Sequence, residues 1–177
     1  MQWHDTIASV QEVQVKDFGE GATILLIDDD PHLLPVLEIM VQTYTNCTVV
    51  TATDGVEGLH RVAEAIPDCI IVDLMMPHLD GYQFILALRG DPATAEIPII
   101  ILTAFIQDSE RFKGIATGAD VYLTKPVVPE EIMAAIQRAI AMTQAQRVQR
   151  LQSLAEANDL KTGYMPSRGE PPNERNA

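Results

Sequence analysis

Four carboxylates, a hydroxyl and a lysine stand where one rim of a folded domain would gather them. Asp28, Asp29 and Asp30 follow the apolar run Thr23 to Ile27, and Asp73 follows Cys69 to Val72. Thr103 follows Ile97 to Leu102, and Lys125, ahead of Pro126, follows the short run Val121 to Leu123. If these runs are strands of one open α/β sheet, their carboxyl ends are where ligand-binding residues collect. Carboxylates crowded on one rim repel each other, and one must take a proton unless a cation neutralises the group. Ligands that are all oxygen suit Mg2+, which takes few protein carboxylates and keeps waters and phosphate oxygens for its other positions. Asp30 reads differently, since Asp30-Pro31 has the form of a helix N-cap followed by proline at the first helical position.

The positioning elements follow from periodicity. Leu33, Leu34, Leu37 and Met40 or Val41 recur at helical spacing, with Pro35 expected to bend the first turns. Cys47 to Ala52 reads as a second strand. Asp54-Gly55 opens a helix with Val56, Leu59, Val62 and Ala63 on one face, and Pro67 ends it. Tyr82 to Leu88 forms a third helix, with Gly81 serving the tight loop before it. A polar fourth helix is predicted from Ser109 to Thr117, and a fifth opens at Pro129-Glu130-Glu131 with Ile132, Ile136 and Ile140 facing the sheet. Strands that are apolar at consecutive positions are buried on both faces, as in a parallel sheet covered by helices. The prediction is therefore an α/β fold with five strands and five helices.

Outside this unit, residues 1–21 form an N-terminal arm in which Val10, Val13, Val15 and Phe18 allow a short strand or packed segment. Residues 142–160 read as a helical extension of the last helix, thinning to Val148, Leu151 and Leu154, and residues 161–177 as a disordered tail. The net charge of −13 and the lack of a basic patch disfavour direct nucleic-acid binding. No apolar run approaches membrane-spanning length. Cys47 and Cys69 lie in apolar segments without metal-ligand spacing, which reads as reduced core thiols and a cytoplasmic home.

In order and separation, ILLIDDDP, IIVDLMMPHLDG, IIILTA and GADVYLTKP resemble the receiver domain of two-component response regulators over Ala22 to Ala141. The resemblance implies a flavodoxin-like (βα)5 doubly wound sheet with an extended C-terminal helix, similar to stand-alone chemotaxis regulators. It implies that Asp73 is the phosphoacceptor, forming an acyl phosphate. Asp28, Asp29, Asp73 and the backbone carbonyl of Met75 would hold Mg2+, and Lys125 would pair with Asp73 and then with a phosphoryl oxygen. Thr103 and Tyr122 would be the switch. The hydroxyl is drawn to the phosphoryl group, small Ala104 leaves room for it, and Tyr122 swings inward to repack the surface of the fourth helix, fifth strand and fifth helix. Met75 and Phe105, both apolar, flank the path of attacking water and imply slow hydrolysis. The implied donor is a sensor histidine kinase or phosphotransfer protein, and the implied output is a downstream protein or a homodimer through the switch surface.

Two other readings compete. Asp28 and Asp30 are similar to the opening of haloacid-dehalogenase-type phosphatases, but His32 stands where that family wants threonine or valine. A phosphate-independent docking module would keep the fold without the chemistry, yet both members of the acidic pair, the acceptor and the lysine are present. Too little chain follows the last helix for a helix-turn-helix domain with its own core, so output through a protein partner is expected. None of the four histidines is placed for catalysis.

Overall fold

The structure is a computed structural model that describes residues 21–104, 113, 115–143, 145–149 and 152–153. Residues 1–20 of the N-terminal arm, Phe105 and the 161–177 tail lie outside the described residues, as does most of the predicted Ser109–Thr117 helix, of which Lys113, Ile115 and Ala116 are described as helical. Five strands, β1 (Thr23–Ile27), β2 (Thr48–Ala52), β3 (Cys69–Val72), β4 (Ile99–Thr103) and β5 (Val121–Thr124), pair in parallel in the order β2-β1-β3-β4-β5. Four labelled helices cover them: α1 (Leu33–Tyr44), α2 (Gly55–Glu64), α3 (Gly81–Gly90) and α4 (Pro129–Ala141). The doubly wound α/β prediction is borne out.

Alternation along the strands divides the core in two. Ile24, Leu26, Ile71, Ile100 and Leu102 point to α1 and α4, meeting Leu37, Val41, Ile132 and Ile136. Leu25, Ile27, Ile70, Val72, Ile99 and Ile101 point the other way, onto Val62, Phe84, Ile85 and Leu88. Cys47 and Cys69 are both free and buried, and burial pushes the Cys69 thiol well up, so it is unreactive as a nucleophile at neutral pH.

Three helical expectations change in detail. On α2 the buried face is Gly55, Gly58 and Val62, with Val56 and Ala63 turned to solvent. A Cβ on Gly58 would stand 2.6 Å from Ile27 Cδ1, so glycine lets this helix lie closer to the sheet than periodicity in side chains indicates. On α4, Ala139 rather than Ile140 continues the buried face. Eight residues beyond Ile132 the helix has turned roughly 80° off that face, whereas seven bring it nearly back. The extension past α4 is not a continuation of it. Met142 is an extended C-cap, and helical residues resume at 145–149 behind Thr143, whose Oγ1 accepts from the Gln146 N–H while Gln146 Oε1 accepts from the Thr143 N–H. That reciprocal pair is a capping box, which starts a new helix in place of prolonging an old one.

The strand order reverses direction between β1 and β3. At such a switch point the flanking connections leave on opposite faces and open a crevice beyond the carboxyl ends. Asp28 and Asp73, the residues that follow β1 and β3, stand there.

Candidate functional site

Asp28 follows a strand that is apolar from Ile24 to Ile27 and keeps its place through backbone pairing, its N–H donating to Ala52 O at 3.1 Å. Asp73 is held the same way, its N–H donating to Ile27 O at 2.9 Å. Both side chains are buried, while Asp29 is exposed at the lip. One oxygen from each of Asp28, Asp29 and Asp73 can lie within 4.8 Å of the others. Lys125 Nζ sits 2.6 Å from Asp28 Oδ2 and 2.6 Å from Asp73 Oδ2. The second oxygen of each carboxylate is also used. Asp28 Oδ1 accepts from the Asp30 N–H at 3.0 Å, and Asp73 Oδ1 accepts from the Leu74 N–H at 2.6 Å and the Met75 N–H at 3.3 Å.

Burial holds the Asp28 carboxyl above the usual carboxylate range, against the opposing pull of Lys125 and the Asp30 N–H. For Lys125 burial works downward, but the hydrogen bonds and charges of Asp28 and Asp73 prevail and hold the ammonium above its ordinary value. One cation thus serves two buried carboxylates with a third at the rim, and the cluster keeps an excess of negative charge. An all-oxygen donor set with uncompensated charge and one open side fits a hard divalent cation.

Thr103, the last residue of β4, is 1% exposed, and its Oγ1 has no hydrogen-bond partner among the described residues. Its carbonyl accepts from the Lys125 N–H at 2.8 Å, so hydroxyl and ammonium are tied to one backbone frame. The peptide between Lys125 and Pro126 is cis. Ala104 is exposed, as is Met75, whose side chain stands at 57%. Tyr122 is already inside, at 9% exposure among the side chains that pack on Ile115 and Leu88. Asp30 plays the predicted capping part, its Oδ1 accepting from the His32 N–H at 2.8 Å and the Leu33 N–H at 3.2 Å, which holds its carboxyl below the usual range.

Sequence reading missed how tightly the acceptor loop is fastened. A Cβ on Gly81 would stand 2.2 Å from Asp73 O and 2.8 Å from Leu74 Cα, so only glycine fits behind the carboxylate. Asp80 caps α3 through a box with Gln83, which sets where that glycine falls. His78 Nδ1 lies 2.8 Å from Asp54 Oδ2, and the Gly55 N–H donates to Leu79 O at 3.2 Å, joining the loop to the start of α2. The signal for Gly81 was the glycine itself, read as a turn residue because its backbone neighbour is eight residues away. Gly81→Ala is expected to lower stability by about 1–3 kcal/mol in urea unfolding, since backbone rather than a side-chain tip must move. A midpoint unchanged from the parent chain would show that the loop is free to shift.

The family model described as "Response regulator receiver domain" matches residues 24–137. RpaA of Synechocystis, described as a DNA-binding dual master transcriptional regulator, is 38% identical over 120 residues, covering 68% of this chain and 49% of RpaA. The chain therefore spans about half the length of that relative. Protein PilG of Pseudomonas aeruginosa is 36% identical over 118 residues, covering 67% of this chain and 87% of PilG. Among solved structures, the receiver domain of a Pseudomonas aeruginosa sensor histidine kinase superposes with a TM-score of 0.64 at 30% identity. That match covers 69% of this chain and 99% of the other, and its active site cleft coordinates a magnesium ion.

Proposed function

The chain belongs to the response regulator receiver family, and from that premise we propose that Asp73 accepts a phosphoryl group in a Mg2+-dependent reaction and thereby switches a protein-interaction surface. The observation that carries this reading is the convergence of Asp28, Asp73 and Lys125 within 2.6 Å contacts at the sheet's switch point, beside a buried Thr103 hydroxyl that has no partner among the described residues. An ionised carboxylate needs no general base to attack phosphorus. The Asp73 oxygen forms the new P–O bond as the donor's bond to phosphorus breaks, and the electron pair leaves with the donor. Lys125 can then exchange one of its two carboxylate contacts for a phosphoryl oxygen. Thr103 Oγ1, a buried donor without an acceptor among the described residues, gains one when that group arrives, which supports its role as the first part to respond. Tyr122 is the second part of the proposed switch, and its buried position makes the response a repacking of β5 against neighbouring helices.

Asp28, Asp29, Asp73 and the Met75 carbonyl are the residues that would hold Mg2+. When bound, the ion supplies charge neutralisation for the transferred group. The donor is proposed to be a sensor histidine kinase or phosphotransfer protein, in a cytoplasmic setting. No helix among the described residues is long and apolar enough to cross a membrane. The net charge of −13 favours output through protein contacts, without direct nucleic-acid binding.

Acetyl phosphate with Mg2+ is expected to add one phosphoryl group by intact mass, and a chelator is expected to prevent it. After donor removal the group should persist for minutes or longer, because Met75 and Phe105 are both apolar and offer attacking water no polar side chain. Loss within seconds would overturn the slow-hydrolysis reading. A mass that never changes with any donor would instead favour a phosphate-independent docking module.

A further inference from the structure

At the opposite end of the sheet from Asp73, a second ionic cluster joins three parts of the chain. Asp120, immediately ahead of β5, is 2% exposed. Its Oδ2 accepts from the Ile99 N–H at 2.8 Å and stands 3.4 Å from Arg89 Nη2, while its Oδ1 accepts from Arg147 Nε at 2.5 Å. Arg89 also donates to the carbonyls of Gly118, Ala95 and Ile97. Arg89 and Asp120 thus fasten the turn before β5 to the start of β4. Arg147 comes from outside the sheet and its covering helices. It reaches Asp120 because the chain breaks at Met142 and restarts at Thr143, and its Nη1 reaches Glu96 Oε2 at 3.0 Å.

Among the described residues, apolar packing contributes little to this attachment. Val148 remains 48% exposed, and Met142 and Val148 line, with Ile115 and Gly118, a cavity of about 290 Å3. Among the described residues, 145–149 are therefore held by Arg147 more than by a core, which is the situation in which a segment opens locally without global unfolding. The Glu96 contact is largely exposed and weak. The Asp120 contact is the strong one, being buried and charge-assisted.

We propose that residues 145–149 are a latch, closed by Arg147 on Asp120, which couples the turn ahead of β5 to the chain beyond α4 and opens when Asp73 is phosphorylated. The coupling half rests on the phosphoacceptor function proposed above. Tyr122 is two residues from Asp120 and packs in the same cluster as Ile115 and Ala119. Both Asp120 oxygens are already engaged in the present arrangement. A repacking of Tyr122 that moves this turn can keep all of those bonds only by chance, so its effect on the latch is to loosen it. By reciprocity, loosening the latch must favour the phosphorylated arrangement by the same factor.

Hydrogen exchange of the full chain, read by mass spectrometry, tests both halves. Arg147→Ala without donor is expected to speed exchange at 145–149 by about tenfold or more, with β1 and β3 unchanged. Arg147→Lys, which keeps charge but not the two-pronged reach, should fall between, and Glu96→Gln should change little. Unchanged exchange in Arg147→Ala would overturn the latch. In the parent chain, once intact mass confirms the phosphoryl group, exchange at 145–149 should rise. Arg147→Ala should also reach about fivefold higher phosphorylated-to-free ratios at limiting acetyl phosphate. Confirmed phosphorylation with unaltered exchange would overturn the coupling and leave Asp73 as acceptor. A chain that never gains the group would overturn the acceptor reading and the coupling together, while the Arg147→Ala arm still decides the latch.

Discussion

Asparagine at position 73 is expected to hold the phosphorylated fraction below about one hundredth of the parent chain's, with acetyl phosphate and Mg2+ present, because the attacking oxygen has lost its charge. The fold should survive. The amide oxygen can still accept from the Leu74 and Met75 N–H groups that Asp73 Oδ1 serves. Lys125 keeps Asp28 at 2.6 Å, so no buried ammonium is stranded. Replacing one of two crowded carboxylates by an amide removes repulsion as well as attraction, and urea unfolding should place the variant within about 1 kcal/mol of the parent. Added Mg2+ should stabilise Asp73→Asn less than the parent chain, since one of three clustered carboxylates is gone. A variant that still gains the group at the parent's rate would mean that another side chain is the acceptor. A variant that unfolds would mean that Asp73 has a structural part beyond the bonds seen here.

How far the sequence disclosed this site depended on the range of the interactions. Strand ends were legible because runs such as Cys69–Val72, apolar at every position, have one physical explanation, burial on both faces. The carboxylates, Thr103 and Lys125 then fell on one rim by topology alone. Asp30 was legible as a cap because capping is local. Contacts between distant elements were not. Gly81 against the Asp73 carbonyl, Gly58 against Ile27 and His78 against Asp54 each depend on how two elements approach, which no single-segment pattern encodes. Arg147 is the plainest case. The composition of 142–160 is helical throughout, and only the Thr143 capping box, with a glutamine three residues on, marked a break in it. Reading that box would have turned the extension back toward the sheet.

Lys125→Met tests the electrostatics most sharply, because it keeps the apolar stem and removes only the charge. Asp28 and Asp73 would then face each other, buried, with no cation between them. Breaking a buried ion pair from one side costs about 3–5 kcal/mol; with Lys125 partly open to solvent, the loss should fall near 3 kcal/mol in urea unfolding. Its pH dependence has a definite sign. Asp28 is already held above its ordinary value of 3.8 by burial, so the folded chain binds more protons than the unfolded one just above that pH, and stability from this group declines as pH rises through the window. Without Lys125 the window widens upward and the decline steepens. Asp30 and Asp54, held low by their helix caps, act in the opposite sense, contributing stability above 3.8 that is lost as pH falls. The variant should therefore recover toward the parent at mildly acid pH, and also at neutral pH with Mg2+, by RT ln(1 + [Mg]/Kd). Phosphorylation should slow about 100-fold even in the Mg2+-stabilised variant, since a fixed ammonium beside the transferred group is a preorganised charge that a mobile ion does not replace. Equal stability of variant and parent across this pH range would show that solvent already screens the two carboxylates. Lys125 would then serve the phosphoryl group alone.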